Sequence, residues 1–231
     1  MMVASLLGLT EADKLVADIE AQLPKPAINH RQRRSAKLQE SKVGISEIFS
    51  PSRVVAAAGR HGLTPGWSLD LTTIDPDTGS PWDLGDPKVQ AKVRDMQARD
   101  KPVMVMACPP CSAFSSWMHV NYKKMSHEDV QARLWQAMRH LAFAVEICMM
   151  QVREGRFYAF EHPESATSWA TGMLQALQRT TGSQRVVFDF CMLGMKTKDK
   201  LGKEGFARKS TAILTNSGHL ASILSKARCN K

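Results

Sequence analysis

From Val43 onward, short apolar runs rich in β-branched residues alternate with longer segments whose apolar residues recur every three or four positions. The short runs fit strands and the longer segments fit helices. Strands are expected at 43–49, 67–71, 103–107, 156–161, 185–190 and 211–215, and helices at about 51–61, 87–99, 127–153, 165–178 and 219–228. The longest helix is the plainest. Ser126, Glu128 and Asp129 supply a capping signature, and Leu134, Met138, Leu141, Val145 and Cys148 follow at spacings of three and four. Ser165 is the expected cap of the helix that follows the fourth strand. Alternation of this kind predicts an α/β domain, a mostly parallel sheet with helices on both faces.

The chain before Val43 has a different character. Thr10-Glu11-Ala12-Asp13 reads as a capping box that opens a helix to about Leu23, closed by Pro24 and Pro26. Residues 25–42 are polar and basic without periodicity. The expected organisation is therefore an N-terminal helix and basic arm over 1–42 and one domain over 43–231. With 231 residues, 43% of them hydrophobic, the chain can bury one sizeable core but not two.

No apolar run approaches the roughly 18–20 residues that span a bilayer, so no membrane partner is expected. MMVASLLGLTEADK has no basic segment ahead of its apolar residues, unlike a secretory signal. Five cysteines, an odd number in a long chain, do not suggest a disulfide framework. A reducing, intracellular compartment is expected, the nucleus in a eukaryote and otherwise the cytoplasm.

Charge narrows the partners. The formal net charge is +9 and the pI about 9.5. An excess of this sign favours a polyanion, since each phosphate neutralised releases counterions; ordinary solubility charge is the competing explanation. The basic residues cluster in the arm, with Arg31, Arg33 and Arg34, and again at Lys196, Lys198, Lys203, Arg208 and Lys209. These are the candidate nucleic-acid contacts.

Ligands of open α/β sheets bind beyond the carboxyl ends of the strands. There the chain places Phe49-Ser50-Pro51-Ser52-Arg53, then Asp70, then Cys108-Pro109-Pro110-Cys111-Ser112, then Glu161-His162-Pro163. Each has a plainer explanation. Cys111 could be an inert thiol, Glu161 a helix cap, Asp70 a turn residue and His162 a solvated loop histidine. Cys148 and Cys191 read as core. Cys108 and Cys111 have C-x-x-C spacing, but no second pair completes a metal set, and no metal is expected. Arg53, a cation at a helix start, calls for an anionic ligand or a nearby surface carboxylate.

Taken together, these segments resemble the cytosine-C5 methyltransferases. VMVMACPPCSAFS looks like the nucleophile loop of that family, and FYAFEHP like its glutamate-bearing strand. The similarity spans roughly residues 43–217. SPSRV, EHP and FDFCMLGM also resemble methyltransferase-like domains carried in mobile-element polyproteins. The resemblance implies a Rossmann-like class I methyltransferase fold, S-adenosyl-L-methionine as cofactor, and nucleic acid, DNA rather than RNA, as substrate. It implies Cys111 as nucleophile and Glu161 as the partner of cytosine N3. Phe49, Ser50, Arg53, Asp70, Trp82, Asp83 and Pro109 would surround the cofactor.

The chain also departs from the family. Its first loop has Ser50 and Pro51 where glycines are expected, His162 stands in place of an asparagine, and no paired-arginine motif or long recognition insert follows. Two other functions stay open on sequence alone. One is a methyltransferase-like module that binds nucleic acid or assembles with partners without catalysis. The other is a different nucleotide-modifying enzyme using the same cysteine.

Overall fold

The structure, a computed structural model, describes residues 38–230. The expected helix at 10–23 and the basic arm with Arg31, Arg33 and Arg34 lie outside these residues. All six expected strands form, each within two residues of its expected ends. They are β1 (Ile45–Ile48), β2 (Pro65–Leu69), β3 (Met104–Ala107), β4 (Phe157–Pro163), β5 (Gln184–Asp189) and β8 (Ser210–Thr215). They join in the order β2-β1-β3-β4-β8-β5. The pairs among β2, β1, β3 and β4 are parallel, while β8 runs antiparallel to both β4 and β5.

Period-two alternation sorts side chains between the faces. Val105, Ala107, Tyr158, Phe160 and Leu214 turn into the larger core, and Met104, Met106, Ala159 and Ile213 turn to the other side. Helices α2 (Pro87–Asp100), α4 (His127–Arg153) and α5 (Gly172–Thr181) cover the first face. Helices α1 (Val54–Ala58) and α6 (Gly218–Leu224) cover the second. The fold is thus α/β, with a mostly parallel sheet and helices on both faces.

Helix α4 has both expected ends, and Ser126 accepts a hydrogen bond from the Asp129 amide at its start. Its apolar stripe, Leu134, Leu141, Val145 and Cys148, is fully buried. The helix expected at 165–178 is corrected. Strand β4 runs on to Pro163, a 3-10 turn covers Thr167–Ala170, and α5 begins only at Gly172. Ser165 therefore caps nothing, and it is Ser168, on the 3-10 turn, whose hydroxyl is engaged, by His162. Two elements were not anticipated. A short helix α3 (Ser116–Tyr122) follows the cysteine loop, and the basic stretch near 200 folds into a hairpin of β6 (Lys196–Lys198) and β7 (Glu204–Phe206). The Asp199 side chain closes that hairpin by accepting from the amides of Leu201 and Lys203, with Gly202 left-handed.

Candidate functional site

The site lies beyond the carboxyl ends of β1 to β4, and it begins with a buried charge. Glu47, near the end of β1, is fully buried. Its carboxylate accepts from the amides of Arg53 (2.9 Å), Val54 (3.4 Å) and Val55 (3.2 Å), and from the hydroxyls of Ser50 (3.0 Å) and Ser68 (2.8 Å). A buried carboxylate is tolerable only with such a set of donors. It fills the start of α1, where free N–H groups would otherwise attract an anion. Glu47 holds only the Arg53 backbone, and the Arg53 side chain, expected to meet an anionic ligand or a surface carboxylate, stays exposed.

The loop after β1 turns without glycine because Phe49 itself takes a left-handed conformation, φ 56°. That is unfavourable for a bulky residue. The Phe49 ring, packed on His140 (5.4 Å between centroids) and Phe143 (6.4 Å), offsets the strain. Ser50 points inward to Glu47 and does not reach the neighbouring cavity.

That cavity, about 140 Å³, gathers Phe49, Asp70, Trp82 and Asp83 from three separate segments. Cys108, Pro110 and His140 complete its wall. Asp70 is the turn residue of one reading, its Oδ1 accepting from the amide (2.9 Å) and hydroxyl (2.7 Å) of Thr72, and it also lines the cavity. Trp82 is almost wholly buried, with Lys92 Nζ 5.0 Å from its ring centre. A second cavity of about 250 Å³ adjoins the first through the shared residues Leu71, Pro110 and His140, and adds Arg133 and Gln136. His140 was missed because it sits on a helix whose periodicity marks only core positions. Burial lowers its pKa.

The cysteine loop is fixed from below. The amide of Cys108 donates to the Ile48 carbonyl across β1 and β3. Pro109 is buried and turned away from the cavity, which it was expected to line; Pro110 lines it instead. The reason is His162. Expected to be solvated, it is fully buried on β4, its Nε2 2.9 Å from the Pro109 carbonyl and its Nδ1 2.7 Å from Ser168 Oγ. A carbonyl only accepts, so Nε2 carries the proton and the Ser168 hydroxyl donates to Nδ1. Phe114, Phe160 and Trp169 surround the ring.

The two cysteines of the loop differ. Cys108, partly buried in the cavity wall, has its thiol driven far above the ordinary range by burial. Cys111 is half-buried, its thiol raised first by burial and then by the charge of Glu161 on the adjoining strand. Burial also raises the Glu161 carboxyl, and Lys209 opposes that shift at both residues. Cys111, Glu161 and Lys209 therefore share one electrostatic environment. Among the described residues, no group of three or more His, Cys, Asp or Glu could hold a metal ion.

The remaining basic candidates lie on or beside the hairpin. Lys196 pairs with Glu204 at 3.2 Å, Arg208 lies 3.8 Å from Asp189, and Lys209 stands over the Phe190 ring. Lys198 and Lys203 are exposed. Exposed Leu201 and Phe206 share the hairpin with them. Cys191 is not a core residue as expected. It is partly exposed at the end of β5, next to Cys229.

The His162 clamp predicts acid sensitivity. Burial pushes its pKa down to about 4, against 6.5 for an ordinary histidine. The unfolded chain then binds a proton that the folded chain refuses. The stability is complete above pH 6.5 and falls as pH drops toward 4, by about 3 kcal/mol at most. Urea unfolding of wild type and His162→Gln between pH 4 and 7 measures it. A wild-type slope no steeper than that of the variant would remove His162 from this role.

Neither protein-family models nor curated proteins give any match to this sequence.

Proposed function

We propose that the chain transfers a methyl group from S-adenosyl-L-methionine to C5 of cytosine in nucleic acid, with Cys111 as nucleophile and Glu161 as the group that holds a proton at N3. One observation supports this above the others. A half-buried thiol in the loop after β3 feels the charge of a carboxyl group with a raised pKa on the neighbouring strand β4. Although neither lines the cavity walled by Phe49, Asp70 and Trp82, Pro110, next to Cys111, does. The mostly parallel sheet with helices on both faces is compatible with a Rossmann-like fold, which supports this reading.

The residues present fit the adenosine half of the cofactor. Asp70 offers a carboxylate for ribose hydroxyls, and Phe49, Trp82 and Leu84 offer apolar surface for a purine. The amino-acid half cannot use the start of α1, whose amides Glu47 occupies. Exposed Arg53, near enough to Cys108 to lower the pKa of its thiol, is the cation available to that carboxylate.

When bound, the cofactor supplies an electrophilic methyl group. Cytosine C5 is too weak a nucleophile to take it unaided. Cys111 Sγ, as thiolate, forms a bond to C6, and the electron pair displaced onto the ring is stabilised by the Glu161 proton at N3. C5 would take the methyl group as the cofactor's sulfur–methyl bond breaks. The C5 proton would pass to solvent water, and the electron pair left behind would expel Sγ from C6 and restore the thiolate. A carboxyl group raised toward neutrality suits the proton-bearing role. The Cys111 thiol is raised in the free protein, so its deprotonation belongs to the substrate-bound state, where a proton on Glu161 removes the charge that opposes the thiolate. Lys198, Lys203 and Lys209 would contact phosphates without reading sequence.

The filled helix start favours a second reading, a module that binds nucleic acid without cofactor. Calorimetry separates the two. S-adenosyl-L-methionine should bind, and Asp70→Ala should weaken it by about 1.5–3 kcal/mol, the range for a charge-assisted hydrogen bond. Asp70→Asn keeps the Thr72 turn and should lose less. No heat at millimolar cofactor would favour the module.

A further inference from the structure

At the opposite end of the sheet the chain buries a guanidinium that its own folding does not explain. Arg156, just before β4, is 2% exposed, and its Nε and Nη1 have no hydrogen-bond partner. Its Nη2 lies 3.7 Å from Glu154, too long for a close pair. Leaving charged donors unpaired in the interior is among the costlier arrangements a protein can hold. Arg156 lines a cavity of about 300 Å³ with Lys101, Arg153, Glu154 and Gln97. Gln97 is also buried. Its Nε2 donates to the Ile147 carbonyl and to Gln151, but its Oε1 has no partner.

Two of the three cations have a local explanation. Lys101 and Arg153 close α2 and α4, where positive charge is favoured, and Lys101 also pairs with Glu40 at 2.9 Å. Neither helix end satisfies Arg156. A cavity with three cations, one carboxylate, two orphaned guanidinium nitrogens and one orphaned amide oxygen is complementary to a tetrahedral anion that carries a proton or a neighbouring hydroxyl.

We infer that this cavity is a phosphate-binding site, with Arg156 as its principal ligand and Lys101 at its rim. It lies away from Cys111 and does not depend on the methyl-transfer reading. The phosphate belongs either to a free phosphorylated compound or to a nucleic-acid backbone.

Thermal melting with inorganic phosphate, matched in ionic strength with chloride, tests the site in the full chain. Wild type should melt about 3–6 °C higher at ten times the dissociation constant. Cys111→Ser should respond equally, and Lys101→Gln at least threefold more weakly. Arg156→Met should lose the response and, freed of an unpaired buried charge, melt no lower than wild type without phosphate. Should Arg156→Met not fold, Lys101→Gln still decides the matter. A second arm measures a short single-stranded oligonucleotide. Weaker binding by Arg156→Met assigns the site to backbone phosphate, and unchanged binding with the phosphate response lost assigns it to free phosphate compounds. No phosphate-specific stabilisation of wild type, or an equal one in Lys101→Gln, overturns the site.

Discussion

Replacing Glu47 by alanine is expected to lower the unfolding free energy by about 3–5 kcal/mol, the range for breaking a buried charge network. In a chain of this size that corresponds to a fall in Tm of roughly 6–20 °C. Five donors converge on this carboxylate, three of them amides of the first turn of α1. Removing it strands those donors away from water and releases both the helix start and the loop that carries Phe49. Ser68→Ala, which deletes one donor and leaves the carboxylate in place, should cost only about 1 kcal/mol. Chemical denaturation of the two variants makes the comparison. If Glu47→Ala unfolds like Ser68→Ala, the carboxylate does not organise the site.

Much of this was legible in the sequence, because strand and helix periods report burial directly. The six main strands and α4 follow from the spacing of apolar residues, and so does the placing of Phe49, Asp70, Cys111 and Glu161 at one edge of the sheet. The one acidic residue in the first strand was a signal for Glu47, but nothing in the residue order says that five donors will meet there. Phe49 shows a different limit. A glycine-free loop reads as one that cannot turn sharply, whereas an aromatic residue held by His140 and Phe143 makes the turn at the cost of strain. The exchange of Pro109 for Pro110 depends on His162, fifty-three positions away, whose hydrogen bond decides which proline faces the cavity. The hairpin near 200 was hidden by its charge, which suggested an irregular loop although Asp199 and Gly202 already carried a turn signal.

The helix start filled by Glu47 also bears on the chemistry. The carboxylate of the proposed cofactor would find no free amides at the start of α1, so its affinity would come from the adenosine half and from Arg53. Calorimetry reports that affinity, but not what the bound cofactor does.

The central claim is that Cys111 attacks C6 of cytosine, and a 5-fluorocytosine oligonucleotide tests it most directly. Fluorine replaces the proton that must leave C5, so the Sγ–C6 bond cannot be eliminated after methyl transfer. With S-adenosyl-L-methionine present, a covalent complex should appear as a denaturant-resistant band. Cys111→Ser should abolish it. Cys108→Ser should largely preserve it, because burial strongly disfavours that thiol as a thiolate. Glu161→Gln should slow trapping by about 10²–10⁴-fold through loss of the proton held at N3. A band that persists in Cys111→Ser and vanishes in Cys108→Ser would assign the chemistry to the other thiol. No band, on DNA or on RNA, from protein that binds both cofactor and oligonucleotide would contradict the mechanism itself.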